Sequence, residues 1–143
     1  MLFPKKVKFR KWQNARKSEA KLAMPETRGI TLAFGSYGLK AETPARVKSN
    51  QIEASRKVIV RTITKVGKMW IRIFPDRPYT QKGAQVGMGK GKGAPAGYVF
   101  EVRPGRVLFE VDGVDEATAV KALRKAGAKL PVKTRIVRRT ETA

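Results

Sequence analysis

The sequence predicts an α+β fold: a two-layer sandwich of short mixed strands and two helices, carrying a basic N-terminal arm and a long glycine-rich loop. Three observations predict it. Apolar residues alternate at period two over 30–34, 68–74, 98–103, 106–111 and 132–137. Helical spacing with capping residues marks 49–66 and 115–127. The chain of 143 residues suits one domain with a real core. Residues 1–28 read as the arm, and 29–143 as a single α+β domain with a flexible loop at 76–97.

The arm lacks clean periodicity, and its residues 1–17 hold Lys5, Lys6, Lys8, Arg10, Lys11, Arg16 and Lys17 without an anion. Such a segment orders mainly on a partner. Ile30, Leu32 and Phe34 alternate with Thr31 and Ala33 as a half-buried strand, and Tyr37–Ala41 continues as a short one. Residues 42–48, with Pro44, connect to a helix capped by Ser49 or Asn50, with Glu53 placed to complete the cap. Ile52, Ile59, Ile63 and Val66 form its apolar stripe, Lys57, Arg61 and Lys65 a cationic row, and Gly67 its terminator.

In 68–74, Met69, Ile71 and Ile73 point one way, and Lys68, Trp70, Arg72 and Phe74 the other; Pro75 and Pro78 end the strand. Residues 76–97 hold six of the 13 glycines and read as loop. Tyr98–Arg103 and Arg106–Val111 are expected to form a hairpin around Pro104-Gly105, with Phe100 facing Phe109 and Val102 facing Val107. Pro-Gly favours a type II turn, whereas tight hairpins prefer primed turns, which argues for a wider loop. Asp115 caps the second helix, Ala119, Val120, Leu123 and Ala126 point inward, and Gly127 ends it. Val132, Thr134 and Ile136 mark a last strand.

Charge bounds the function. The chain carries 32 Lys+Arg against 11 Asp+Glu, a formal net charge of +21. Self-repulsion of this size is relieved by a polyanion. Five acids cluster between Glu101 and Glu116, so the positive charge sits at the two ends. The chain has no Cys and no His, which excludes disulfides, thiolate zinc sites and imidazole-based triads. No apolar run approaches the roughly 20 residues that span a bilayer, and the N-terminus lacks an apolar signal core. A soluble intracellular protein is expected, with no membrane partner, no small-molecule substrate and no cofactor.

Gly87-Met88-Gly89-Lys90-Gly91-Lys92-Gly93 is the most unusual stretch. Alternating glycines leave backbone N–H groups open to a phosphate, and the two lysines add charge. The spacing is not that of a P-loop, and it fits the dinucleotide fingerprint only loosely. A solvated linker remains the bland reading of this stretch, and nucleic-acid backbone contact the sharper one. In the arm, Phe9 and Trp12 either stack on bases or dock the arm on the core. Trp70 reads as core or sheet cover more than as a base-stacking platform. Lys57, Arg61 and Lys65 are either a solvated face or phosphate contacts. Glu110, Asp112, Asp115 and Glu116 form no catalytic constellation. A free RNA chaperone or DNA-compacting protein, and a phosphate-ester enzyme using the glycine loop, are the rival readings.

Several segments together resemble one family. They are Met1-Leu2-Phe3-Pro4-Lys5-Lys6 with Lys8-Phe9-Arg10-Lys11, Phe34-Gly35-Ser36-Tyr37-Gly38-Leu39, Gln51-Ile52-Glu53-Ala54 and Trp70–Pro78. The run Met88–Gly93, Pro104–Glu110 and Lys129–Thr134 complete the set. In this order they are similar to bacterial large-subunit ribosomal protein sixteen, over nearly the whole chain. The resemblance implies a non-enzymatic α+β sandwich on large-subunit ribosomal RNA, contacting A-site transfer RNA and other large-subunit proteins. It also implies a glycine-lysine loop that reaches toward the peptidyl transferase centre.

On that basis Lys5, Lys6, Lys8, Arg10, Lys11, Arg16, Lys57, Arg61, Arg72, Lys133 and Arg135 are the expected ribosomal-RNA contacts. Arg77, Lys82, Gly87, Met88, Gly89, Lys90, Gly91 and Lys92 are expected in the loop near transfer RNA. Localisation follows as a ribosome, in a cytoplasm or an organelle. Three departures from the family pattern stand out. Gly87 occupies the place of an Arg that some bacteria hydroxylate. Lys82-Gly83 stands where Lys-Pro is common. The segment 17–29 is longer by several residues.

Overall fold

A computed structural model describes residues 1–13 and 18–139. The elements in chain order are α1 (Glu19–Leu22), β1 (Tyr37–Ala41), β2 (Ala45–Lys48), α2 (Ser49–Ile63) and β3 (Lys68–Ile71). They continue with β4 (Arg77–Gln81), β5 (Ala94–Val102), β6 (Val107–Asp112), α3 (Glu116–Gly127) and β7 (Thr134–Arg138). The strands form two antiparallel sheets, one in the order β3-β6-β1-β7 and one in the order β2-β5-β4. The α+β class holds, with a short extra helix in the arm.

The core lies between the four-stranded sheet and the two long helices. Leu39 pairs with Phe109, and Phe109 with Ile71, so one face of three adjacent strands is continuously apolar. Ile52, Ile59 and Ile63 of α2, and Ala119, Ala122, Leu123 and Ala126 of α3, join this cluster, all buried. Each large side chain removed from water here contributes roughly 1.5–3 kcal/mol. The alanines on α3 let the helices approach closely, and Ser55 Oγ donates to Ala126 O at 3.2 Å across that contact.

Several sequence expectations are corrected. Residues 30–34 are not a strand, because the N–H groups of Ala33, Phe34 and Gly35 all donate to the Glu110 carboxylate instead of to a ladder. The expected Tyr98–Val111 hairpin does not form. Residues 103–106 make a turn closed by Arg106 N–H to Arg103 O, with Gly105 at φ +96° as a type II turn requires. That turn does not match the twist of paired strands, so β5 and β6 separate into different sheets. Phe109 therefore faces Leu39 and Ile71, not Phe100.

The expected loop at 76–97 is largely the β4–β5 hairpin, with a shorter tip at 82–93. Pro78 lies inside β4, where an edge strand tolerates it. Part of the 42–48 connector is β2. Helix α2 starts behind Lys48, whose N–H donates to the Gln51 side chain at 2.8 Å, so none of Ser49, Asn50 and Glu53 caps it. The helix stops at Ile63, ahead of Gly67, and Val66 is exposed. Asp115 is the N-cap of α3 as expected, holding the Thr118 hydroxyl at 2.5 Å.

Candidate nucleic-acid interface

Two cationic elements converge. The first is the arm. Leu2 packs on the core, and its carbonyl accepts from Ser49 Oγ at 2.8 Å. Ten residues on, the Trp12 ring lies 5.1 Å from the Arg77 guanidinium at the base of the β4–β5 hairpin. Between these two anchor points Lys5, Lys6, Lys8, Arg10 and Lys11 are all exposed. Trp12 thus docks the arm, whereas Phe9 stays exposed with Lys8 5.5 Å from its ring. Arg16 lies outside the described residues.

The second element is the hairpin tip. Gly89, Lys90 and Gly91 run in succession through the left-handed region, at φ +96°, +60° and +85°. Nothing lies within 4 Å of where a Cβ would sit on Gly87, Gly89 or Gly91, and Met88 is fully exposed. Successive backbone N–H groups in such a conformation offer an anion-binding concavity. Lys82 Nζ donates to Gly89 O and closes the tip; Lys92 Nζ donates to Trp12 O and ties tip to arm. Lys90 is exposed and makes no ion pair among the described residues.

The other expected contacts are dispersed. Lys57 and Arg61 are exposed on α2, and Lys133 and Arg135 are exposed beside and on the edge strand β7. Arg77 sits at the hairpin base, 2.9 Å from Glu101, and is not presented at the tip. Arg72 is directed inward. Its Nη1 lies 2.5 Å from Oε2 of Glu110, whose side chain is fully buried. Burial pushes the Glu110 carboxyl up, but the Arg72 hydrogen bond and the Gly35 and Phe34 N–H groups outweigh it and hold it below the usual range.

Glu110 is the residue whose role the sequence reading missed. A lone acid between Phe109 and Val111 in an apolar run was the available signal, since a buried carboxylate requires partners. The aromatic pair above it, Phe34 and Trp70, stacks at 5.9 Å, so Trp70 covers the sheet. Among the described residues no group of three or more Asp or Glu is placed to hold a metal ion. No helix there is long and apolar enough to cross a membrane.

Comparison with known proteins spans nearly the whole chain. The family model described as ribosomal protein L16p/L10e matches residues 4–137. The large ribosomal subunit protein uL16 of Rickettsia massiliae (strain Mtu5) is 53% identical over 141 residues, covering 99% of this chain and 100% of that protein. Those of Rickettsia typhi (strain ATCC VR-144 / Wilmington) and Rickettsia prowazekii (strain Madrid E) are each 54% identical over 142 residues, with the same coverage.

Proposed function

Because the chain belongs to the ribosomal protein L16p/L10e family, we propose that it is a structural constituent of the large ribosomal subunit. In this reading it binds ribosomal RNA through the arm and touches transfer RNA through the hairpin tip, near the peptidyl transferase centre. It is not an enzyme. The observation that carries the reading is the junction of the two cationic elements, where Lys92 of the tip meets Trp12 of the arm.

The mechanism is charge neutralisation on a stiff support. Lys5, Lys6, Lys8, Arg10 and Lys11 neutralise phosphates without reading sequence, and Lys133 and Arg135 extend the contact along β7. Arg16 belongs with the arm cations. Lys90 and the open N–H groups of Gly89 and Gly91 meet a phosphate at the tip, where Gly87 removes a side chain and Met88 offers an apolar contact. Lys82 and Lys92 shape the tip. Arg72 and Arg77 are engaged by Glu110 and Glu101 and serve to hold the frame.

Crosslinking on assembled subunits tests the reading. Arm residues are expected to link to ribosomal RNA, and Lys90 to link to transfer RNA when the A site is filled. Free RNA affinity is expected to fall with salt with a log–log slope of about −4 or steeper if six phosphates are neutralised. A chain that never co-sediments with large subunits, or binds RNA independently of salt, would overturn it.

A further inference from the structure

Strand β7 is the last strand on one side of the four-stranded sheet, and its outer backbone edge is open. Lys133 O accepts from the Glu42 N–H at 2.7 Å, and the Arg139 N–H donates to Ser36 O at 2.9 Å. Residues of an antiparallel ladder address its two sides alternately, so 133, 135, 137 and 139 face β1. The N–H and C=O groups of Thr134, Ile136 and Arg138 therefore point the other way, where no further strand follows among the described residues. The other edge strands offer less. β4 contains Pro78, and β2 and β3 are four residues long, β2 running straight into α2. β7 has five residues and no proline.

A groove runs along each face of β7. On the helix side, about 540 Å³ lies between α3 and the strand, walled by Leu39, Val120 and Ile136 and by the exposed Arg124. On the outer face, another of about 540 Å³ lies between the strand and the segment 30–32, walled by Ile30, Leu32 and Val137 and by Lys40 and Arg139. A strand added to β7 projects its side chains alternately into these two grooves. Both combine aliphatic walls with cations, and neither is lined by an acid. Among the described residues Lys40, Arg124, Arg135 and Arg139 form no ion pair, while Arg138 is held by Glu116.

We propose that β7 is a docking edge for an extended acidic polypeptide segment, a strand of another protein that mixes aliphatic with Asp or Glu side chains and extends the sheet beyond β7. The main-chain ladder gives it affinity, and the two grooves select aliphatic side chains for their walls and carboxylates for their cations. Two other occupants fit the edge worse. The phosphates of a nucleic acid only accept hydrogen bonds, so they leave the carbonyls of Thr134, Ile136 and Arg138 without donors. A second copy of β7 brings Lys133, Arg135, Arg138 and Arg139 of both chains together, and like charges facing each other across strands repel. The proposal needs the backbone edge and its grooves, and it stands apart from the RNA reading, which uses the arm, the tip and the Lys133 and Arg135 side chains.

The test uses the full chain and a synthetic peptide of about eight residues, alternating glutamate with valine and capped at both ends. On adding it, amide hydrogen exchange read by NMR is expected to slow about tenfold or more at Thr134, Ile136 and Arg138. Arg135 and Val137, already bonded to β1, are expected to stay unchanged. The same peptide N-methylated through its central residues keeps its charge but cannot donate to the ladder, and is expected to give no protection. Ile136→Pro removes one outward donor at a position where an edge strand tolerates proline, and is expected to bind the peptide several-fold more weakly. The double variant Arg135→Glu, Arg139→Glu leaves the backbone intact and is expected to do the same. Unchanged exchange at the three amides, or equal binding of the N-methylated peptide, would overturn the proposal. So would an RNA duplex that slows the same amides without peptide, which gives the edge to nucleic acid, or slowing that grows with protein concentration alone, which gives it to a second copy.

Discussion

Arg72 reaches 2.5 Å from the buried Glu110 carboxylate, and that same carboxylate gathers the N–H groups of Ala33, Phe34 and Gly35 at 2.9–3.1 Å. One side chain on the inner strand β6 thus pins a whole irregular segment across the outer face of the sheet. Removing it leaves a half-buried guanidinium and three N–H groups without an acceptor. Glu110→Ala is expected to cost about 3–5 kcal/mol, read as a lower urea midpoint with little change in the denaturant slope. A loss below about 1 kcal/mol would show that water replaces the carboxylate freely.

The same group gives the fold an acid limit. Its carboxyl is held below the ordinary range, so the folded state favours the ionised form. That stabilisation is complete above the unfolded value of about 4.3 and is lost as pH falls through the depressed folded value. Stability measured from pH 6 downward is expected to decline less steeply in Glu110→Gln than in wild type, because the variant has no proton to take up at that position. Equal slopes would place the acid sensitivity elsewhere.

Gly35 is required by space. A Cβ there would sit 2.7 Å from Val111 O, and this atom belongs to the central strand β6, which cannot retreat. Gly35→Ala is expected to cost about 1–3 kcal/mol through overpacking and to shift the Gly35 N–H away from Glu110. Thermal melting checks it, and Gly87→Ala, which meets open space, is the control with a negligible shift.

Trp12 couples the arm to the hairpin through its ring on Arg77 and its carbonyl on Lys92. Trp12→Ala is expected to lower global stability by no more than about 0.5–1 kcal/mol, the worth of an exposed cation–π contact. Its larger effect falls on the tip. Trypsin is expected to cut after Lys82, Lys90 and Lys92 several-fold faster in the variant, while cleavage at Lys57 and Arg61 stays unchanged. Equal rates at the tip would show that the arm does not steady it.

The elements with long, uninterrupted patterns were legible in the sequence: α2, α3, β1, β3 and β7 stand where the apolar spacing put them, within a few residues. What escaped depended on partners far along the chain. Ile30, Leu32 and Phe34 alternate like a strand, but the backbone there bonds to an acid more than 70 residues away. β4 was hidden by Pro78, whose missing N–H matters only if the strand is internal, and internal or edge is a fact of sheet order. Phe100 and Phe109 looked like cross-strand partners because both runs are apolar, and only the Pro104-Gly105 turn type argued otherwise. The arm and tip cations were each legible from charge; their meeting at Trp12 was not, since 80 residues separate Trp12 from Lys92.

The separation of β5 from β6 has a mechanical consequence. β5 is the middle strand of its sheet and β6 lies inside the other, yet a single tight turn joins them. A load applied at the far end of the protruding finger travels down β5 and arrives at the most deeply rooted strand of the main body. The finger is therefore built as a cantilever clamped at its base, and deflecting it as a whole means straining hydrogen bonds in both sheets rather than flexing a hinge.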